Sequence, residues 1–89
     1  MASYRIEFAR SAEKDLRKIA KKEIPRILRA VEALADEPRP SGAKKLTGSE
    51  RTYRIRTGGY RVVYEVEDGI LVVLVVRIAS RGDAYRKKS

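Results

Sequence analysis

One stretch constrains this chain more than any other: Thr52-Tyr53-Arg54-Ile55-Arg56-Thr57-Gly58-Gly59-Tyr60-Arg61-Val62-Val63-Tyr64. Its residues alternate, and alternation is the signature of a strand that buries one face. Tyr53 and Ile55 point one way, while Thr52, Arg54 and Arg56 point the other. After the Gly58-Gly59 turn, Tyr60, Val62, Tyr64 and Val66 share a face and Arg61, Val63 and Glu65 the opposite one. The spacing predicts a β-hairpin with an apolar underside and an outer face carrying Arg54, Arg56 and Arg61. Like charges on neighbouring strands destabilise a sheet, so such a face points to a polyanion as its ligand.

The flanking residues supply a core for that hairpin. Tyr4-Arg5-Ile6-Glu7-Phe8 alternates and reads as an edge or near-edge strand. Ser11 is in place to cap a helix on which Ala12, Leu16, Ile19 and Ala20 recur at helical spacing. Pro25 suits the first turn of a second helix with the stripe Ile24, Ile27, Leu28, Val31, Leu34 and Ala35. Glu37-Pro38-Arg39-Pro40-Ser41-Gly42 ends the helical pair. Lys44-Lys45-Leu46 leads through a loop at Thr47-Gly48-Ser49 into the hairpin. Asp68-Gly69 signals a type I′ turn. Ile70 to Ile78 is apolar on both faces, as a central strand should be. Its odd side, Leu71, Val73, Val75, Arg77, Ala79 and Arg81, ends in arginines.

The order is β-α-α-β-β-β. The expected fold is α+β: an N-terminal strand, a helical hairpin and a three-stranded antiparallel meander. The helices pack on one face of a small, mostly antiparallel sheet of about four strands, with the first strand pairing with the last. Residues 1–89 read as one domain, because neither half buries its apolar face alone.

Composition narrows the chemistry. The chain carries 21 Lys and Arg against 12 Asp and Glu, a net charge of +9. Residues 41–89 hold 11 basic and 5 acidic groups, so the excess lies mostly where the hairpin lies. Nucleic acid, an anionic membrane or an acidic protein are the partners such charge favours. The sequence has no Cys and no His. Thiolate chemistry, disulfides, the usual neutral-pH base and the usual zinc ligands are thereby excluded. No signal peptide or membrane span is visible, and a cytoplasmic protein without metal or cofactor is expected. Parity places Tyr53, Tyr60 and Tyr64 in the core. Tyr85, beside Arg81 and Arg86, is the tyrosine to expect at a nucleic acid. The basic helix face Lys14, Arg17, Lys18 and Lys21 reads as a solvated surface.

The element order, the Lys45-Leu46-x-Gly48 lead-in, Tyr53-Arg54-Ile55-Arg56, Gly59-Tyr60-Arg61-Val62-Val63-Tyr64 and the late Arg81 with Tyr85 resemble the RelE toxins of the RelE/ParE superfamily, over nearly the whole chain. The resemblance implies the toxin of a type II toxin–antitoxin system. Its activity would be that of a ribosome-dependent endoribonuclease (an mRNA interferase) that cuts mRNA in the ribosomal A site and inhibits translation. Its partners would be the ribosome, mRNA and a cognate antitoxin with an acidic wrapping segment. Arg54 and Arg56 fall where relatives carry lysines that help activate the attacking 2′-hydroxyl. Arg61 matches the arginine on the scissile phosphate, and Arg81 the one assigned to protonate the leaving 5′-oxygen. Tyr85 matches the tyrosine that stacks on or orients the base. Lys44, Lys45, Arg77, Arg86 and Lys87 are expected as further RNA contacts. Two departures stand out: arginines replace the two lysines, and Ser80 stands where many relatives place His. The alternative within the same fold is a ParE-like inhibitor of DNA gyrase that cleaves no RNA.

Overall fold

A computed structural model describes residues 3–80. β1 (Arg5–Phe8) is followed by α1 (Arg10–Arg17), a 3₁₀ turn (Lys21–Glu23) and α2 (Ile24–Ala33). Then come β2 (Lys44–Lys45), β3 (Thr52–Thr57), β4 (Tyr60–Glu67), a second 3₁₀ turn (Asp68–Ile70) and β5 (Val72–Ser80). The five strands form one mixed sheet in the order β1-β5-β4-β3-β2. β1 runs parallel to β5, and the other pairs are antiparallel. The expected pairing of first strand with last is present, and β5 lies between β1 and β4. The short strand β2 is the addition: Lys44 and Lys45 pair with Arg54 and Tyr53 as an outer ribbon.

The helices cover one face. Ala12, Ile27, Val31 and Leu34 meet Ile55, Val62, Tyr64, Val66, Val73, Val75 and Ile78 in a single buried cluster. Tyr64 is fully buried, and its hydroxyl donates to the Pro38 carbonyl at 2.7 Å. That bond gives the ring's polar end a partner inside the core. The Tyr64 ring stacks on Tyr53, with centroids 6.0 Å apart. Tyr53 and Tyr60 pack at the margin of the same core.

Four local expectations are corrected. Ser11 does not cap α1; Ala9 occupies the cap position, and Ser11 Oγ–H donates to the Val76 carbonyl at 2.6 Å. α1 ends at Arg17, so Ile19 and Ala20 lie past it, although Ile19 still packs against the core. Asp68-Gly69 does not form a type I′ turn. It opens the 3₁₀ turn, which closes on Leu71 in the left-handed region at φ 53°. The Asp68 carboxylate is taken by the Tyr4 hydroxyl at 2.6 Å and by Arg39 at 2.7 Å, which ties the turn to β1 and to the loop after α2. The strand consequently starts at Val72, leaving Ile70 71% exposed.

The fourth correction concerns the alternation of β5. Val63 pairs with Arg77 but Tyr64 pairs with Val75, so Val76 is an extra residue, a β-bulge. Before it, Val73 and Val75 face the core; after it, Ile78 does. The odd-numbered row thus changes face at the bulge. Beyond Phe8, which pairs with Val75, β1 no longer covers the edge of β5. α1 takes over that role. Ser11 satisfies the Val76 carbonyl, and four residues on, Asp15 Oδ2 accepts the Ile78 N–H at 2.8 Å. Side chains at i and i+4 share one helix face, so α1 supplies to the strand edge the bonds a neighbouring strand would make.

Candidate nucleic-acid interface

The β3–β4 hairpin presents the site. Gly58 has φ +60° and Gly59 does not have positive φ, the sign pattern of a tight turn with glycine at its first central position. Register then fixes who faces whom on the helix-free side of the sheet. Lys44, Arg54, Val63 and Arg77 line up across β2 to β5. One row nearer the turn, Arg56 faces Arg61, with Ala79 next to it. The row on the other side is Thr52, Glu65, Leu74 and Glu7. The open face is therefore divided, cationic toward the Gly58-Gly59 turn and acidic away from it.

The three arginines have no countercharge among the described residues. Ion pairs there engage Arg5, Arg39, Lys45, Arg51 and Arg77. None engages Arg54, Arg56 or Arg61. Burial, followed by the charges of Arg56 and Arg61, holds the Arg54 pKa below its ordinary value. The Nε–H of Arg61 is buried and has no hydrogen-bond partner. Buried donors are nearly always paired, so an orphan within a cluster of uncompensated cations is an unusual feature of this face.

Arg77, expected among the RNA contacts, is ion-paired in the fold. Its side chain reaches over the uncovered edge of β5 to Asp15, with Nε 2.9 Å from Oδ2. Burial pushes the Asp15 pKa up, but hydrogen bonds from Arg77 and from the Ile78 N–H more than offset it and hold the carboxyl below its usual range. Lys44 and Lys45 lie exposed on β2, and Lys45 sits 4.0 Å from Glu50. Arg81, Tyr85, Arg86 and Lys87 lie outside the described residues.

Two features beside the arginines did not come forward from sequence spacing. The edge of β3 past Arg54 is left open by the two-residue β2. Between it and α2 lies a groove of about 580 Å³, lined by the apolar Ala30, Ala33, Leu34 and Ile55 and by the charged Glu37, Lys44, Arg54 and Arg56, three of them cationic. The second is Arg26 of α2. A β-carbon added to Gly58 would stand 2.7 Å from its Nη1 and 3.1 Å from its Cδ. Glycine at position 58 thus both adopts the turn conformation and leaves room for the Arg26 side chain.

Comparison with known proteins decides the family. The model of the ParE toxin of type II toxin–antitoxin systems (parDE) matches residues 6–85. Toxin RelG of Mycobacterium tuberculosis is 33% identical, over 94% of this chain and 98% of its own length. The chain belongs to the RelE/ParE toxin superfamily. Its fold is similar to that of the RelBE2 toxin–antitoxin complex of M. tuberculosis, with a TM-score of 0.79 and 26% identity over 89% of this chain and 99% of that one. It is also similar to the intact RelBE complex of Escherichia coli, with a TM-score of 0.76 and 30% identity over 88% and 96% of the two chains. This RelE/ParE member is the toxin of a type II toxin–antitoxin system. Among its described residues no helix is long and apolar enough to cross a membrane.

Proposed function

We propose that this toxin is a ribosome-dependent endoribonuclease that cuts mRNA in the A site, and that Arg54, Arg56 and Arg61 form the described part of its active site. The observation that carries the reading is the set itself: three arginines on one face of a rigid hairpin, with no carboxylate among the described residues paired to any of them. A purely solvated face would be expected to intersperse its charges.

In the reaction, the 2′-hydroxyl oxygen attacks the adjacent phosphorus and its proton leaves to a base. The P–O5′ bond then breaks, giving a 2′,3′-cyclic phosphate, and the 5′-oxygen takes up a proton. Negative charge accumulates on the phosphoryl oxygens of the pentacoordinate state. Arg61, opposite Arg56, supports that charge, and preorganised donors of this kind supply a large part of such catalysis. Arg54 grips the adjoining backbone with a planar fork of donors. The scheme draws on arginine charge and calls on no metal. Arginine stays protonated as the guanidinium and has no free site for the 2′-proton, so that proton passes to solvent water and positioning of the mRNA by the ribosome carries much of the rate. Arg81 and Tyr85 complete the set at the leaving oxygen and the base, as the family resemblance implies. Action on ribosomes places the toxin in the cytoplasm.

The partner in this reading is a cognate antitoxin. The groove between α2 and the open edge of β3 suits an amphipathic segment with apolar residues on Ala30, Ala33 and Ile55 and acidic ones on Lys44, Arg54 and Arg56. Such a segment covers two of the proposed active-site arginines.

The test is purified toxin on ribosomes programmed with a defined A-site codon, with mapping of the new 5′ ends. Discrete cuts within codons support the nuclease reading. Intact mRNA together with inhibited DNA gyrase supports the ParE-like reading, which the family model favours by its description.

A further inference from the structure

Arg26 sits where a cation is costly. It lies in the first turn of α2, whose N-terminal amides carry partial positive charge and favour acidic side chains. That turn contains no acid. Among the described residues Arg26 enters no ion pair, and it is exposed. Its guanidinium nevertheless lies against Gly58, at the tip of the hairpin whose strands carry Arg56 and Arg61. Gly58 is two residues from Arg56, roughly 7 Å of extended chain. The two glycines add no side chain to the tip beside the guanidinium.

We propose that Arg26 is a further RNA-backbone contact of this toxin, carrying the phosphate track of the arginine face around the hairpin tip onto the first turn of α2. The proposal rests on the RNA-directed reading of the arginine face. Positive charge then continues from the helix-free face around the hairpin tip to α2, and a phosphate at the tip lies within reach of Arg26 while its neighbour meets Arg56 and Arg61. A phosphate there offsets the cost of placing Arg26 in the helix's first turn, which packing of its methylenes over Gly58 does not.

The experiment compares Arg26→Met, which keeps the methylene packing and drops the charge, with Arg26→Lys, which keeps the charge. Binding of each full-length protein to ribosomes is measured over a salt series, with and without messenger in the A site. Single-turnover cleavage and thermal unfolding are followed in parallel. Arg26→Met should weaken binding roughly tenfold and flatten the slope of log affinity against log salt by about 0.7–0.9. Arg26→Lys should keep most of both. A loss seen only with messenger present assigns the phosphate to the mRNA; a loss in both cases assigns it to ribosomal RNA. Wild-type affinity and slope in Arg26→Met overturn the proposal, and so does equal weakening in Met and Lys variants with a matching drop in melting temperature. Wild-type protein that binds ribosomes without cutting mRNA removes the nuclease reading alone, since the role of Arg26 is read from binding.

Discussion

Arg61 faces Arg56 across the hairpin, and its Nε–H has no acceptor. If Arg61 serves the proposed active site, its removal should be felt in the chemistry more than in the fold. Arg61→Ala should lower the single-turnover cleavage rate by on the order of 10²–10³, with thermal unfolding little changed; an unaltered rate removes Arg61 from the active site. Arg54→Lys and Arg56→Lys separate two roles. If these side chains only grip phosphate, the lysine variants bind less well because the bidentate fork is lost; if a base is needed there, a lysine among cations has a lowered pKa and the rate holds or rises. Tyr64 belongs to the same strand but to the opposite face. Tyr64→Phe leaves the Pro38 carbonyl unpaired in the core and should cost about 1–3 kcal/mol in urea unfolding. Burial raises the Tyr64 pKa to about 12 from 10.0. Between those values the folded chain keeps a proton that the unfolded chain has released, so stability falls as pH rises from 10.0 toward about 12. The Phe variant should lack that component.

Among the elements, α1 has a role that its own sequence conceals. Periodicity marks Ala12 and Leu16 as its apolar side, and Ser11 and Asp15 look like a cap and a first-turn acid. Both instead serve the edge of β5. No local pattern announces this, because it depends on where β1 stops and on a bulge more than sixty residues away. The bulge escaped the sequence for a related reason. Ile70–Ile78 is apolar at nearly every position, and such a run contains no alternation from which a slip is readable. The arginine hairpin was legible because it alternates strictly, and the face of every residue from Thr52 to Val66 follows from that. Asp15→Ala should cost about 1–3 kcal/mol, since it strands the Ile78 N–H. The Asp15 pKa is held below its ordinary 3.8 by the Arg77 and Ile78 bonds, burial opposing. A depressed carboxylate contributes stability that is fully present above the unfolded pKa and is lost as pH falls through the folded one. The difference between wild type and Asp15→Asn should therefore shrink on acidification below about pH 4.

Across the whole molecule, helices, core and one sheet face form a platform whose remaining face is charged in two halves. Net charge announced an anionic partner but not this division, which comes from register: Glu65 and Glu7 fall into one row through β5 only because β1 is parallel to it. The strand order carries a further consequence, in time. β5 is the last of these strands synthesised, yet it stands between β1 and β4 and carries most of the contacts of α1. Pairings that join the first strand to the last wait on loop closure across the chain. Until Val72–Ser80 has emerged, β1 has no neighbour and the core lacks Val73, Val75 and Ile78. A chain cut before Val72 should therefore be open to proteolysis, with no strand to join β1 to the hairpin. The strand order thus makes assembly of the arginine face wait on the strand made last among those described.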